Sequence, residues 1–156
     1  RFEAKGAMRG VRVFDDYAHH PTELVAALDA ARTVAGDHRV HVLFQPHLFS
    51  RTLAFAEEFA AALERADTAT VLDIYAARED PVPGVTSEVI SAKVSRPGGY
   101  APDAGQAVRD ICRRAAPGDI ILTVGAGDVT RYGADLVQEL ARTDAAEPEL
   151  RKELRG

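Results

Sequence analysis

The stretch VRVFDDYAHHPTELVAALDAARTVAG, residues 11–36, decides the fold class. It begins with a run of β-branched and aromatic residues, which predicts a strand at Val11–Phe14. A polar segment follows, and Pro21 then suits the first position of a helix that Gly36 would end. The apolar residues of this helix recur at helical spacing: Leu24, Ala27, Leu28 and Ala31. A strand, a polar loop and an amphipathic helix in this order predict one unit of an α/β fold.

The same alternation continues along the chain. Further short apolar runs predict strands at Val40–Phe44, Ala69–Ile74 and Ile120–Val124, with a weaker strand near Tyr100 and Ala101. Helices are predicted around Phe55–Ala66 (capped by Ser50 or Thr52), from Thr86–Glu88 onward, over Ala104–Ala116, and over about Val129–Ala141. Near-continuous apolar strands between helices are typical of a sheet covered on both faces. We therefore predict a doubly wound, mostly parallel α/β sheet, with Phe2–Ala7 as a possible antiparallel edge strand.

Length and composition limit the possible functions. A chain of 156 residues supports one domain, which we place at residues 1–142, followed by a charged tail at residues 143–156 that is either disordered or a marginal helix. The single Cys112 excludes a disulfide framework and a cysteine-based zinc site, and fits a cytoplasmic location. The net charge of −5 argues against a nucleic-acid binder. No apolar run is long enough for a transmembrane helix, and the start at Arg1, without Met, suggests a piece of a longer protein.

Ligands of open α/β sheets bind beyond the carboxyl ends of the strands. The segments at these ends are Asp15–Pro21, Gln45–Arg51, Tyr75–Gly84 and Gly125–Asp128. The first one holds two carboxylates, a phenol and two imidazoles. A carboxylate there can accept both hydroxyls of a ribose, and an imidazole beside a helix start can donate to an anion. The alternative is that Asp15 or Asp16 caps a turn and one histidine is buried and satisfied, while the histidine spacing does not favour a metal site.

The other segments give weaker signals. His47 and Arg51 of the second segment could face the same crevice as His19, with Arg51 held for an anion such as a carboxylate. The alternative is that Arg51 is solvated or paired with Glu57 or Glu58. Gly125–Asp128 is similar to a phosphate-binding turn, but a third glycine is missing and close packing of strand and helix explains it equally well. The segment that contains Arg78 and Glu79 is expected to be a surface loop, and a role of these two residues in a site is the less favoured alternative.

A complete reaction centre is missing from the sequence. It contains no Gly-x-x-x-x-Gly-Lys-Ser/Thr phosphate loop and no nucleophile elbow. Cys112 falls on the apolar face of a predicted helix, which disfavours a nucleophilic role. We therefore predict no catalytic residue and no metal ligand in this chain.

Several motifs together resemble the carboxy-terminal domain of the Mur ligases. They are RFE at residues 1–3, VFDDYAHHPTE at 13–23, FQPHLFSRT at 44–52 and GAGD at 125–128, and the likeness extends from residue 1 to about residue 140. The motifs are most similar to those of the members that add L-alanine to UDP-N-acetylmuramate through an acyl phosphate, at the expense of ATP, in peptidoglycan precursor synthesis. The resemblance implies a Rossmann-like domain that closes over the ATP site and binds the amino acid. The N-terminal and central domains, with the phosphate loop and the Mg²⁺ ligands, would lie outside this chain.

The resemblance also implies roles for single residues. Arg1 would reach the nucleotide and Asp16 would meet the ATP ribose, while His19, His47 and Arg51 would line the L-alanine pocket. Possible further site residues are Tyr17, His20, Gly125 and Asp128. Some relatives have an arginine where this chain has Leu48, which leaves more of the anion binding to Arg51. On this interpretation the isolated chain is inactive. The alternatives are a murein tripeptide-recycling ligase of the same family and a stand-alone, non-catalytic nucleotide-binding domain.

Overall fold

The computed structural model describes residues 2–142 of the chain. Arg1 and residues 143–156 lie outside the described residues, and so do the nucleotide contact expected of Arg1 and the predicted tail. The described strands are β1 (Glu3–Met8), β2 (Val11–Asp16), β3 (Val40–Phe44), β4 (Thr68–Val71), β5 (Gly98–Tyr100) and β6 (Ile120–Val124). They form a sheet in the order β1-β2-β6-β3-β4-β5, in which β1 is antiparallel to β2 and the other neighbours are parallel. This confirms the predicted sheet and its antiparallel edge strand.

Helices cover both faces of the sheet. They are α1 (Pro21–Ala35), α2 (Phe49–Ala54), α3 (Ala56–Leu63), α4 (Glu88–Ser91), α5 (Ala104–Arg114) and α6 (residues 132–142), with a 3₁₀ turn at Asp128–Arg131 before α6. One core cluster joins the sheet to α1, α3 and α4, and a second joins it to α5 and α6. Successive side chains of β3 belong to different clusters: Phe44 packs into the first cluster and Leu43 into the second. Every residue of β3 and β6 is buried, as expected for central parallel strands.

Three predicted elements differ in extent. The strand expected at Ala69–Ile74 ends at Val71, because the chain leaves the sheet after the amide of Leu72 donates to the carbonyl of Phe44 at 2.9 Å. The strand expected near Tyr100 and Ala101 is centred one residue earlier, on Gly99. The helix expected from Thr86–Glu88 is a single turn, although its Ile90 is buried as predicted.

The single helix predicted around Phe55 consists of two helices. Phe55 has a φ of −118° and a ψ of 22°, outside the helical range, so α2 ends there and α3 begins at the next residue. Its ring lies against His20 at a centroid distance of 5.0 Å. The predicted caps are wrong as well. The residue that precedes α2 is Leu48, and the hydroxyls of Ser50 and Thr52 bond to Glu79 and to the Leu48 carbonyl instead.

A buried polar network lies at the amino ends of the central strands. His41 of β3 is fully buried, and its Nε2 donates to Asp119 Oδ2 at 2.9 Å. The hydroxyl of Thr68 donates to its Nδ1 at 2.8 Å. Burial outweighs the hydrogen bond to Asp119 and lowers the pKa of His41. The ring is therefore neutral at pH 7, and it ties β3 to β4 and to the start of β6 without an internal charge on the histidine.

Candidate functional site

The carboxyl ends of β2, β6 and β3 meet at one edge of the sheet, with β6 in the middle. Backbone hydrogen bonds join the segments that follow them: the amide of Gly125 donates to the Asp16 carbonyl at 3.1 Å, and the amide of Gln45 donates to the Val124 carbonyl at 3.0 Å. The predicted segments after these strands are therefore neighbours. This agrees with the rule that ligands of open α/β sheets bind at this edge, which predicts that these segments are neighbours.

The two carboxylates that end β2 have different surroundings. Asp15 accepts from the hydroxyls of Thr123 at 2.6 Å and Thr130 at 2.9 Å, so it ties β2 to β6 and to the following turn. The Oδ1 of Asp16 accepts from the amide of Ala18 at 2.9 Å, which closes a turn at the strand end. Both side chains are buried. Asp16 thus caps a turn, as the alternative expected, whereas Asp15 binds the hydroxyls of Thr123 and Thr130.

The histidines of this segment also divide in role. His20 precedes α1, and its backbone amide donates to Glu23 Oε1 at 3.1 Å in a capping box. Its ring lies against Phe55, so His20 serves the start of the helix and its packing. His19 is half-buried, and its Nδ1 donates to the carbonyl of Tyr17 at 3.2 Å. The ring of Tyr17 meets His19 edge-on at 5.9 Å and is 61% exposed.

His47 is the centre of the site. Its ring meets that of His19 edge-on at 6.1 Å and stacks on that of Tyr75 at 5.6 Å, with 14° between the planes. Its Nδ1 accepts a hydrogen bond from Arg51 Nη1 at 3.1 Å. Burial is the main cause of the lowered pKa of His47, and the charges of Arg51 and His19 lower this pKa further. A neutral His47 can accept from the guanidinium and so fixes its direction. Three of the predicted residues are therefore brought together.

Arg51 does not pair with the glutamates that were considered for it. Among residues 2–142, the ion pairs include none between Arg51 and Glu57 or Glu58. The guanidinium instead lies beside His47, at the open edge of the sheet. A cation held in this way is suited to bind a carboxylate through two parallel hydrogen bonds.

Two residues of the site were missed in the sequence. The backbone of Tyr75 pairs with the segment that holds His47. The amide of Tyr75 donates to the Pro46 carbonyl at 2.8 Å, and the amide of Leu48 donates to the Tyr75 carbonyl at 2.9 Å. Gln45 is buried, and its side chain donates to Asp128 Oδ1 at 2.8 Å and accepts from the Val129 amide at 3.2 Å. Both lie in segments that the strand-end rule selects, and that rule is the signal that could have found them.

The Gly125–Asp128 turn is closely packed. A Cβ on Gly127 would lie 2.5 Å from the Cγ of Tyr75 and 2.7 Å from the Oε1 of Gln45. A Cβ on Gly125 would lie 2.9 Å from the Gln45 carbonyl oxygen. Asp128 binds Gln45 and also accepts from Arg131 at 3.1 Å. These contacts favour the packing interpretation of the turn, and a contact of Gly125 or Asp128 with phosphate stays a prediction.

Comparison with known proteins decides the family. The family model described as "Mur ligase, glutamate ligase domain" matches residues 1–127. The chain belongs to the Mur ligase family. A UDP-N-acetylmuramate–L-alanine ligase from Paenarthrobacter aurescens (strain TC1) is 64% identical over 140 residues, which cover 90% of this chain and 30% of that relative. The chain thus spans about a third of the length of such relatives.

Solved structures of Mur ligases share the fold. A Haemophilus ducreyi domain, assigned to a UDP-N-acetylmuramate:L-alanyl-γ-D-glutamyl-diaminopimelate ligase, has a TM-score of 0.71 and 28% identity, and the match covers 90% of this chain and 99% of that one. A Thermotoga maritima Mur ligase in complex with ADP has a TM-score of 0.69 at 20% identity, over 92% of this chain and 31% of that one. The predicted Rossmann-like fold class is confirmed. No helix among the described residues is long and apolar enough to span a membrane.

Proposed function

We propose that this chain is the C-terminal domain of an ATP-dependent UDP-N-acetylmuramate–L-alanine ligase, a cytoplasmic enzyme of peptidoglycan precursor synthesis. The observation that carries the proposal is the 64% identity to a relative of that name. The substrates of the whole enzyme would be ATP, UDP-N-acetylmuramate and L-alanine. The resemblance to the family implies that Mg²⁺ neutralises the phosphates and that its ligands lie in the other domains of the enzyme.

The amino-acid pocket would be built from Arg51, His47 and His19. Arg51 is directed by a neutral His47, and no carboxylate of the described residues forms an ion pair with it. Its guanidinium would take the carboxylate of L-alanine, and the rings of His47 and His19 would form the wall beside it. Because Leu48 supplies no second cation, the affinity for the carboxylate would depend mainly on Arg51.

The nucleotide side of the site would be formed by Asp16, with Arg1 as a further contact. Asp16 ends β2 beside the Gly125 turn, and a carboxylate there can accept both hydroxyls of a ribose. The domain would contribute to the reaction through position. It would hold the amine of L-alanine in line with the acyl phosphate of the sugar, and its closure would exclude the water that otherwise hydrolyses that group.

A pair of substitutions in the full-length enzyme tests this division of roles. Arg51→Ala removes a charge-assisted contact worth about 1.5–3 kcal/mol, so the KM for L-alanine should rise about 10- to 150-fold with little change in the KM for ATP. Asp16→Ala should raise the KM for ATP and leave that for L-alanine nearly unchanged. The matched control is Arg113→Ala on α5, where the arginine forms an exposed ion pair with Asp110 at 2.8 Å. Equal effects of Arg51→Ala on both KM values would refute the assignment.

The tripeptide-recycling ligase remains the second candidate, since the Haemophilus ducreyi domain resembles this chain at a TM-score of 0.71. The lower identity of that domain, 28% against 64%, favours L-alanine. Assaying the full-length enzyme with L-alanine and with L-alanyl-γ-D-glutamyl-diaminopimelate decides between them. The stand-alone nucleotide-binding domain is tested by titrating the 156-residue chain with ATP, because micromolar binding without the other domains would contradict the ligase proposal.

A further inference from the structure

The helix that carries Arg51 cannot cap its own start. The residue before α2 is Leu48, whose side chain has no hydrogen-bond acceptor and whose φ is +71°. The amides of the first turn of any helix lack partners within the helix. With six residues, α2 is also too short to be stable through its own hydrogen bonds. The position of Arg51 therefore depends on contacts from outside the helix.

Glu79 supplies the missing contact from the loop after β4. Its Oε1 accepts from the amide of Ser50 at 3.1 Å, and its other oxygen accepts from the hydroxyl of Ser50. These two bonds lower the pKa of Glu79, so the carboxylate is charged at pH 7. A negative charge at the amino end of a helix also interacts favourably with the helix dipole. Glu79 thus does for α2 what a serine or aspartate does at an ordinary helix start.

The same loop contacts His47 directly. Tyr75 pairs with the chain on both sides of His47 through its backbone, and its ring stacks on the imidazole. The segment Tyr75–Glu79 therefore holds both members of the Arg51–His47 pair, one through Tyr75 and the other through Glu79 and the first turn of α2. The segment was expected to be a surface loop, and its contacts with Ser50 and His47 favour the alternative in which Glu79 serves the site.

We propose that Glu79 is a positioning residue for the amino-acid pocket, which holds the first turn of α2 so that Arg51 meets the substrate carboxylate. The inference rests on the proposed function for its substrate. Glu79 would act through its bonds to Ser50 and not by contact with the substrate. Loss of its carboxylate would let α2 fray at its start, and the guanidinium of Arg51 would then spend less time in the direction that His47 sets.

Glu79 has a second effect, of opposite sign. Its charge is close enough to Arg51 that Arg51 contributes to lowering the pKa of Glu79. That negative charge would also weaken the binding of a substrate carboxylate at Arg51, although solvent and salt reduce the effect at this exposed position. Glu79→Gln separates the two effects, because glutamine keeps one oxygen that can accept from the Ser50 amide and offers an N–H to the oxygen of the Ser50 hydroxyl, while it removes the charge.

The chain offers a matched control for Glu79. Glu64 accepts from the amide of Ser95 at 2.5 Å and from its hydroxyl at 2.6 Å, and these bonds lower its pKa as well. It follows α3, and its carboxylate also forms an ion pair with Arg96 at 3.6 Å. Glu64→Ala therefore removes the same kind of serine contact without touching α2.

The experiment measures steady-state kinetics and hydrogen exchange in the full-length enzyme. Glu79→Ala should raise the KM for L-alanine about 3- to 10-fold, as expected for a lost charge-assisted bond at an exposed site, and leave the KM for ATP unchanged. Glu79→Gln should stay close to the wild type, and Glu64→Ala should change neither KM. Amide exchange at Ser50 should become faster in Glu79→Ala than in Glu64→Ala.

Each outcome decides the inference. If the wild type uses L-alanine and Glu79→Ala behaves like Glu64→Ala, or has a lower KM for L-alanine, the inference is overturned. An equal change in both KM values also overturns it, since that would indicate general damage to the fold. If the wild type does not use L-alanine, the proposed function fails by itself. Exchange at Ser50 then still reports whether Glu79 holds α2, and an unchanged rate would end the inference as well.

Discussion

Replacing Gly127 with alanine distinguishes the two interpretations of the Gly125–Asp128 turn. The φ of Gly127 is −94°, outside the left-handed region that favours glycine, and alanine adds a methyl group at this position. That group would lie 2.5 Å from the Cγ of Tyr75 and 2.7 Å from the Oε1 of Gln45. Ordinary carbon contacts need about 3.5 Å, so the Tyr75 ring would have to retreat by about 1 Å.

The close contacts of the added methyl group set the expected loss of stability in Gly127→Ala. Inserting a methyl group into a packed contact costs about 1–3 kcal/mol, and about 2 kcal/mol lowers the Tm of a chain of this length by about 4–8 °C. The displaced ring is the one that stacks on His47. Gly127→Ala should therefore also raise the KM for L-alanine in the full-length enzyme, by a few-fold, while the KM for ATP stays nearly constant.

Thermal unfolding of the 156-residue chain and kinetics of the full-length enzyme measure the two effects. Gly105→Ala is the matched control: it lies in α5, where a Cβ would meet Asp103 Oδ1 at 3.3 Å, and alanine favours a helix by up to about 1 kcal/mol over glycine. The control should keep or slightly raise the Tm. A Gly127→Ala enzyme with unchanged Tm and a selectively raised KM for ATP would refute the packing interpretation and favour a phosphate-binding turn.

Two further predictions concern buried groups. Burial lowers the pKa of His41 below its ordinary value of about 6.5, so His41 takes up a proton in the unfolded chain before it does so in the folded chain as the pH falls. The contribution of neutral His41 to stability is therefore present above about pH 6.5 and is lost as the pH falls through the lower folded pKa. Urea unfolding at pH 7.5 and 5.5 should show a smaller loss of the free energy of unfolding in His41→Gln than in the wild type. Burial raises the pKa of Cys112 to about 12, so the native chain should react with a thiol reagent far more slowly than the urea-unfolded chain, and equal rates would contradict its burial.

The sheet and the edge that holds the site were predictable because their signals are local. Short apolar runs separated by amphipathic helices predict a parallel sheet, and the strand-end rule then predicts where polar residues gather. His19, His47 and Arg51 lie in segments chosen in this way, and the structure brings them together. Their contact with a ligand remains a prediction, since it concerns groups outside the chain.

The parts that were missed depend on partners far away in the sequence. Glu79 replaces a cap that local reasoning assigned to Ser50 or Thr52, and it does so from a loop that follows a different strand. The stack of Tyr75 on His47 arises in the same way, since the two residues pair only once β3 and β4 lie side by side. A helix-start pattern cannot report such contacts, because it contains only neighbouring residues.

The middle position of β6 has a consequence for how the site comes into being. Among the described strands β6 is the last to be synthesised, yet it separates β2 from β3, the strands that deliver His19 and His47. A nascent chain that ends before Ile120 contains every residue assigned to the amino-acid pocket but has no strand to set their spacing. Placing β6 between β2 and β3 requires contacts between residues far apart in the sequence, and such contacts form slowly. Until they form, the edges of β2 and β3 stay unpaired. The arrangement of the pocket therefore depends on a strand that follows it in the chain, and truncation before Ile120 should abolish it.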